Sequence, residues 1–182
     1  MSNYFSHSTA LVESESIGDD TKIWCFSHIT EGAIIGKNCN IGEHCYIESG
    51  SLIGDNVTIK NGCSIWDGVT IQKGAFIGPN VAFTNDSIPR SPRERAHRNY
   101  YKNKKNWLKH TLVKEGVSIG ANSTILCGLT IHEFAIIGAG SVVTKDIYSH
   151  TLVYGNPARF KYFLCECCNR IDFFNEESEC LN

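Results

Sequence analysis

The sequence predicts an all-β fold, a parallel β-helix of six-residue repeats, and two regularities carry that prediction. The first is a large apolar residue at every sixth position, at Ile17, Ile23, Ile29, Ile35, Ile41, Ile47, Ile53, Ile59, Ile65, Ile71, Ile77 and Phe83. The register resumes after a gap at Val113, Ile119, Ile125, Ile131, Ile137 and Val143. A period of six does not fit an α-helix with about 3.6 residues per turn, but it is a multiple of the strand period of two.

The second regularity concerns the neighbours of each large apolar residue. Glycine often follows it, and we expect the absence of a Cβ at this position to allow a tight turn. The residue two positions before the next large apolar residue is small or modest, as in Thr21, Ser27, Ala33, Cys39 and Cys45. Three such repeats make one triangular coil of about eighteen residues. Inward side chains then stack on their equivalents in the next coil, about 4.8 Å along the axis.

The repeat divides the chain into a long regular part and two irregular segments. We expect a β-helix catalytic domain over residues 1–148, interrupted by an extruded loop at about 87–112. That loop is basic and aromatic, and long loops inside a strict repeat are often functional. Residues 149–182 lose the period, and the turn Gly155-Asn156-Pro157 predicts a short cap or helix followed by a cysteine-containing tail.

Composition narrows the class of protein further. The chain has 182 residues and a formal net charge of −2, so its overall charge shows no excess of positive residues for binding nucleic acid. Its apolar runs are too short to span a membrane, and its first residues lack a signal-peptide pattern, so we expect a cytoplasmic protein without nucleic-acid or membrane partners. Nine cysteines in a reducing compartment are expected to be thiols. Cys39, Cys45 and Cys63 fall in the small inward slots and are expected to be buried.

The eighteen-residue coil also predicts which polar residues meet at one corner. Glu48 and Trp66 occupy equivalent positions on successive coils, and Asp67 and Asn85 do the same one residue further on. These four side chains are therefore expected to form one patch beside the extruded loop. We expect His28, at the end of a preceding face, to lie close to it.

Three segments carry a resemblance to a known family. IWDGVTI…FIGPNVAFTNDSIPRS, from Ile65 to Ser91, and the later IIGAGSVVTKDI and VYGNPAR resemble the hexapeptide-repeat acyltransferases, and among them the N-acetyltransferases of nucleotide-linked 3-amino sugars, dTDP-3-amino-3,6-dideoxyhexose type. The resemblance implies a left-handed β-helix, acetyl-CoA as co-substrate without a metal, and a homotrimer with active sites between subunits. It implies transfer of acetyl to the 3-amino group for surface polysaccharide (O-antigen or S-layer glycan) biosynthesis.

Candidate site residues follow from the corner patch and the resemblance. The amine must be delivered unprotonated and aligned with the thioester, and the oxyanion must be stabilised. We expect catalytic roles for Asn85, which can hydrogen-bond near the amine, for Asp67, which can hold it or accept its proton, and for His28 as a base or ligand. We expect Glu48, Trp66, Asp86 and Arg90 to bind the sugar nucleotide, with Asp86 acting either on the sugar or as a loop anchor.

The resemblance directs acetyl-CoA to the later coils and the GNPAR turn. Backbone groups near Gly138 and Ala139 are expected to pair with the pantetheine amides. Lys145 and Arg159 are expected to meet the phosphates, and Asn156 and Pro157 of the same turn are also expected to bind the cofactor.

Several alternatives stay open at this point. A UDP-3-amino-glucuronate N-acetyltransferase and a 4-amino-sugar N-acetyltransferase share the chemistry, and a non-catalytic β-helix scaffold shares the fold. A metal lyase of the γ-carbonic-anhydrase type also uses this fold. It is disfavoured because the seven histidines include no pair separated by four residues.

Overall fold

A computed structural model describes residues 3–165, 170 and 171 as a nearly all-β solenoid. The strands, in chain order, are β1 (Phe5–Ser6), β2 (Leu11–Val12), β3 (Lys22–Ile23), β4 (His28–Ile29), β5 (Ile34–Ile35), β6 (Asn40–Ile41), β7 (Tyr46–Ile47), β8 (Leu52–Ile53), β9 (Thr58–Ile59), β10 (Ser64–Ile65), β11 (Val69–Ile71), β12 (Phe76–Ile77), β13 (Ala82–Phe83), β14 (Thr111–Val113), β15 (Ser118–Ile119), β16 (Thr124–Ile125), β17 (Thr130–Ile131), β18 (Ile136–Ile137), β19 (Val142–Val143), β20 (Thr151–Gly155), β21 (Ala158–Leu164) and β22 (Arg170–Ile171). Two short helices, α1 (Arg98–Tyr101) and α2 (Lys104–Trp107), lie between β13 and β14.

The strands form three sheets, one for each face of the coil. The first sheet has the order β1-β3-β6-β9-β12-β15-β18-β20-β21-β22, the second β19-β16-β13-β10-β7-β4-β2, and the third β17-β14-β11-β8-β5. Pairing along the solenoid is parallel, with Ile47 opposite Ile65 in a shift of eighteen residues. Ile77 pairs with Ile119, a shift of 42, so the extruded segment adds 24 residues and leaves the stack in register.

The predicted core is confirmed. Each described large apolar residue of the six-residue register is at most 3% exposed, and twelve of the largest fully buried side chains are isoleucines from this register. The small slots, such as Thr21 and Ala33, are buried as well. Cys39, Cys45 and Cys63 are buried free thiols, as expected. Because each coil buries its apolar residues against the coils next to it, the stability of the stack depends on contacts between adjacent coils.

The glycine that follows the large apolar residue has a role other than the predicted one. A Cβ on Gly18 would lie 2.5 Å from the carbonyl carbon of Gly36, in the next coil. The constraint is therefore the close approach of two backbones rather than a turn conformation. The positive φ angles fall at other corner positions, for example 85° at Gly50.

The end of the solenoid is capped, as expected, but by a β-hairpin rather than by the alternative short helix. β20 adds to the first sheet parallel to β18, and β21 then returns antiparallel to β20 through the turn at Asn156 and Pro157. Burial alternates at the start of β20, where Thr151 and Val153 are buried, and Val153 and Ala158 pack against the core. Cys165 is disulfide-bonded, which corrects the expectation of a thiol there. The remaining tail cysteines lie outside the described residues.

No helix among the described residues is long and apolar enough to cross a membrane.

Core substitution tests the stacking directly. Ile119→Ala removes a fully buried side chain, and we expect it to lower the free energy of unfolding by about 2–5 kcal/mol, from lost burial and a residual cavity. Ser118→Ala, on the outward side of the same strand, is the matched control and should change it by less than about 0.5 kcal/mol. Chemical denaturation monitored by circular dichroism measures both, and equal effects would contradict the assigned facing of the strand.

Candidate active site

The corner between the second and third sheets carries the predicted polar patch. Glu48, Asp67 and Asn85 lie on successive coils because β7, β10 and β13 are stacked in register. The Asp67 backbone N–H donates to Glu48 Oε2 at 2.9 Å, and the Asn85 amide donates to the Asp67 carbonyl at 3.4 Å. These bonds join three coils into one polar ridge from which the extruded loop departs.

Asp67 is a largely enclosed charge on this ridge. Its side chain is 13% exposed and lies against Gly50, where a Cβ would collide with the carboxylate. Lys104 Nζ, from α2 of the loop, lies 2.5 Å from Asp67 Oδ2. The hydrogen bond to Asp67 and the charges of Asp67 and Glu48 raise the pKa of Lys104, so its amine is a cation at neutral pH. The sequence patterns did not identify Lys104, because the path of a loop without periodicity has no sequence signal.

An aromatic row runs beside the ridge towards the N-terminal end. The rings of His28 and Tyr46 meet edge to face at 5.4 Å, and those of Tyr46 and Trp66 lie 5.5 Å apart. Trp66 also packs against the core. His28 Nε2 lies 3.0 Å from Glu13 Oε2. At about 4.8 Å per coil, His28 is roughly 14 Å from the coil of Asn85, so one chain does not bring these two residues together.

Asp86 anchors the loop. Its Oδ2 accepts from the Tyr101 hydroxyl at 2.7 Å, and its Oδ1 accepts from the Ile88 backbone at 2.9 Å. The Arg90 backbone N–H donates to the same hydroxyl at 2.7 Å. The bond to Asp86 raises the pKa of Tyr101, which keeps the hydroxyl protonated as a donor. Of the two roles expected for Asp86, this geometry matches the loop anchor.

The backbone closes the loop at its base. The Lys109 N–H donates to the Asn85 carbonyl at 2.9 Å, and Asp86 and Leu108 form an antiparallel bridge. Above this base lies a cavity of about 270 Å³, lined by Ile88, Arg90, His97, Tyr100 and Tyr101. The cavity combines aromatic rings with a cation, which is a suitable lining for a planar base or a phosphate.

The residues expected to bind acetyl-CoA lie towards the other end. The strand register puts Lys145 on the same corner as Asn85, two coils further along, because Phe83 pairs with Ile125 and Ile125 with Val143. Lys145 also lines an open cavity of about 470 Å³ with Leu129, Thr144, Asp146 and Tyr148.

The backbone near Gly138 is less available than expected. The Gly138 N–H donates to the Val153 carbonyl at 2.8 Å, and the Gly138 carbonyl accepts from Ser141 Oγ. Ala139 follows Gly138 at the corner between the first and second sheets. Asn156, Pro157 and Arg159 belong to the terminal hairpin. Among the polar contacts within the described chain, the Arg159 guanidinium donates to the Ala158 carbonyl, at 3.4 Å.

No group of three or more His, Cys, Asp or Glu side chains within the described part of the chain is arranged to hold a metal ion.

Comparison of the chain with known proteins identifies a family and individual relatives. The chain matches the bacterial transferase hexapeptide (six repeats) family over residues 16–49, 50–85 and 110–145. It is 49% identical over 176 residues to dTDP-3-amino-3,6-dideoxy-alpha-D-galactopyranose 3-N-acetyltransferase of Aneurinibacillus thermoaerophilus, covering 97% of this chain and 86% of that protein. It is 33% identical over 139 residues to the bifunctional protein GlmU of Thermotoga petrophila, covering 76% of this chain and 27% of that protein.

Two solved structures share the fold. The acetyltransferase domain of PglB from Neisseria gonorrhoeae, in complex with acetyl coenzyme A, aligns with a TM-score of 0.59 and 19% identity, over 87% of this chain and 57% of that one. GDP-perosamine N-acetyl transferase from Caulobacter crescentus, in complex with CoA and GDP-perosamine, aligns with a TM-score of 0.54 and 20% identity, over 88% and 57%. At these identities the likeness is one of fold.

Proposed function

This chain belongs to the bacterial transferase hexapeptide family, and we propose that it is an acetyl-CoA-dependent N-acetyltransferase. Its acceptor is the 3-amino group of a dTDP-linked 3-amino-3,6-dideoxyhexose. The observation that carries the proposal is the 49% identity, over almost the whole of both chains, to a 3-N-acetyltransferase of such a sugar nucleotide. The relative makes the galacto sugar the first acceptor to test.

The proposed reaction requires alignment more than strong acid or base catalysis. The acceptor ammonium first gives one proton to a base, for which Asp67 is the proposed group. The uncharged amine nitrogen then attacks the thioester carbonyl carbon, the new C–N bond forms, and a tetrahedral oxyanion results. Its collapse breaks the C–S bond, and the departing CoA sulfur receives the proton that the amine loses. Alignment of the two reactants at one corner supplies much of the rate enhancement in such a mechanism.

The corner ridge is the proposed acceptor site. Asp67 and Glu48 give it a concentrated negative charge, which suits a sugar that arrives as an ammonium ion. Asn85 carries the ridge one coil closer to the coils assigned to acetyl-CoA, and its amide can hydrogen-bond near the reacting nitrogen. Trp66 provides an apolar wall beside the hexose.

The extruded loop is the proposed nucleotide site. Arg90 and the rings of Tyr100 and Tyr101 line its cavity, where a diphosphate can pair with the cation and a base can stack. Asp86 acts there through Tyr101, which it holds in place.

Acetyl-CoA is proposed to lie along the later coils. Lys145 follows Asn85 on the same corner, which supports a phosphate or pantetheine contact that leads to the amine. The roles of Gly138, Ala139, Asn156, Pro157 and Arg159 rest on the family resemblance. The Gly138 N–H is already engaged, so Ala139 is the better backbone candidate.

We further propose a homotrimer in the cytoplasm, with the site between subunits. The outward face of the third sheet exposes Ile34 and Leu52, at 48% and 42%, beside an open groove of about 530 Å³. Apolar residues in a row on a strand face are typical of a subunit interface. The ridge borders this face, so a second subunit packed on it would adjoin Asp67, and His28 could then act from a neighbouring chain. The product would serve surface polysaccharide assembly.

Acetyl transfer tests the function. Purified protein is offered acetyl-CoA with dTDP-3-amino-3,6-dideoxygalactose, its gluco epimer and UDP-3-amino-glucuronate, and CoA release is followed with a thiol reagent. We expect turnover with a dTDP sugar and much less with the uronate. A C6 carboxylate needs a cation as partner, and the cation that the described contacts place at the ridge, Lys104, is already paired with Asp67. Turnover with the uronate alone would keep the chemistry and overturn the substrate, whereas no release with any acceptor would overturn the function.

Removal of the ridge charge tests the acceptor site. Asp67→Asn keeps the shape but loses the charge, and we expect kcat/KM for the amino sugar to fall roughly 10- to 100-fold, the range of a charged hydrogen bond. The change should fall mainly on KM, with the KM for acetyl-CoA unchanged. Glu31→Gln, on the same corner two coils away, is the control and should retain activity. Equal activity of Asp67→Asn and the parent protein would remove Asp67 from the site.

Solution mass tests the assembly. Light scattering should give about three times the 20.2 kDa of one chain. Leu52→Glu puts a charge on the third sheet and should shift the mass towards the monomer. Phe76→Glu makes the same change at a residue of similar exposure on the first sheet and should leave the trimer intact. A monomeric parent protein contradicts the trimer, and dissociation only by Phe76→Glu contradicts the face assigned to it.

A further inference from the structure

The loop places a cation of its own in the proposed acceptor site. Lys104 lies 37 residues from Asp67 in sequence, yet its ammonium pairs with the Asp67 carboxylate, and the charge of Glu48 also acts on it. In the unliganded chain, the charge that would attract an amino sugar is therefore already paired. The site carries two carboxylates against this one ammonium, which leaves a net negative charge.

We propose that the Lys104 ammonium group acts as a stand-in for the acceptor: it occupies the place on Asp67 that the ammonium of the acceptor sugar takes when it binds. It neutralises Asp67 while the site is free, and the 3-ammonium group of the incoming sugar displaces it and releases α2 from the ridge. This inference rests on the proposed function, because it takes Asp67 as the group that binds the acceptor amine.

The two partners are unequal in a way that favours exchange. Asp67 is 13% exposed at its side chain and is costly to leave unpaired, whereas Lys104 is 67% exposed and is readily hydrated after release. One positive group thus replaces another, and the buried carboxylate remains compensated throughout.

The loop can release α2 without losing its base. No residue of α1 or α2 is fully buried, and the contact that α2 makes through Trp107 is with Tyr101 of the loop, at 5.9 Å between ring centroids. The base is held independently by the Lys109–Asn85 backbone bond and by Asp86 with Tyr101. The Lys104 ion pair is consequently separate from the contacts that hold the loop base and from the packing of Trp107 on Tyr101, and none of those contacts depends on the Asp67 carboxylate.

Displacement by charge gives the site a basis for discrimination. A sugar with a 3-hydroxyl group carries no positive charge and cannot compensate Asp67, so it leaves Lys104 in place. A 3-amino sugar can replace the ion pair. The stand-in lysine would therefore exclude the common 3-hydroxy sugar nucleotides, at the expense of some affinity for the true acceptor.

Binding to Lys104→Met measures the competition. By calorimetry without acetyl-CoA, we expect this variant to bind dTDP-3-amino-3,6-dideoxygalactose roughly 3- to 10-fold more tightly than the parent chain, because the competing cation is gone. Lys105→Met, the adjacent loop lysine without an ion pair among the described contacts, should bind like the parent. Tyr101→Phe loosens the loop but keeps Lys104, and should bring no gain. Unchanged or weaker binding by Lys104→Met, or an equal gain in Tyr101→Phe, overturns the inference.

Lysine labelling reports the displacement itself. Reductive methylation followed by mass spectrometry measures the reactivity of each amine in the parent chain. The amino sugar should raise the labelling rate of Lys104 several-fold relative to Lys105, and the 3-hydroxy analogue should not. Slower labelling of Lys104 with the amino sugar overturns the displacement. An amino sugar that binds neither the parent chain nor Lys104→Met overturns the proposed function together with this inference, whereas equal binding to both overturns the displacement alone.

Discussion

The parallel hydrogen-bonded register between coils is the constraint on which the rest of this molecule depends. It makes residues eighteen positions apart into neighbours, as with Ile47 and Ile65. It survives the extruded segment unchanged, since the coils on either side still pair in phase. A corner of the solenoid is therefore a line of functional positions at fixed intervals. Asp67, Asn85 and Lys145 lie on one such line, and their order along it follows from the backbone alone.

The same register limits what a corner residue can be. Asp67 is held between the carboxylate of Glu48 and a glycine that has no side chain to obstruct it. Among the described ion pairs, the cation that compensates this charge is Lys104. It comes from outside the repeat, on the extruded loop that the register does not govern. The regular part of the fold thus provides the negative site, and the irregular part provides what fills it.

The periodic features were predictable from the sequence, and the aperiodic ones were not. The inward column, the buried thiols such as Cys45, and the ridge of Glu48, Asp67 and Asn85 all follow from a repeat length that is legible in the residues. The partnership of Tyr101 with Asp86, and that of Lys104 with Asp67, depend on how a loop folds back over a distant corner. The terminal cap was predicted but its hairpin form was not, because two antiparallel strands obey no six-residue period. The sequence indicated that glycine is required at positions such as Gly18, but it suggested a turn as the reason. The actual reason is the close approach of the next coil, which a sequence pattern does not reveal.

A solenoid of this kind cannot close around a ligand, because any bending would break the stacking of its core. Adaptation to a substrate must therefore come from the segment that stands outside the stack. The loop has two kinds of attachment that suit this division. Its base is fixed by backbone bonds and by the Asp86 carboxylate, which no ligand needs to displace. Its α2 helix carries a charge pair with Asp67 that, in the proposed exchange, a ligand of the right charge replaces. Attachment through the group proposed to recognise the substrate would couple loop position to substrate identity, without any change in the coils.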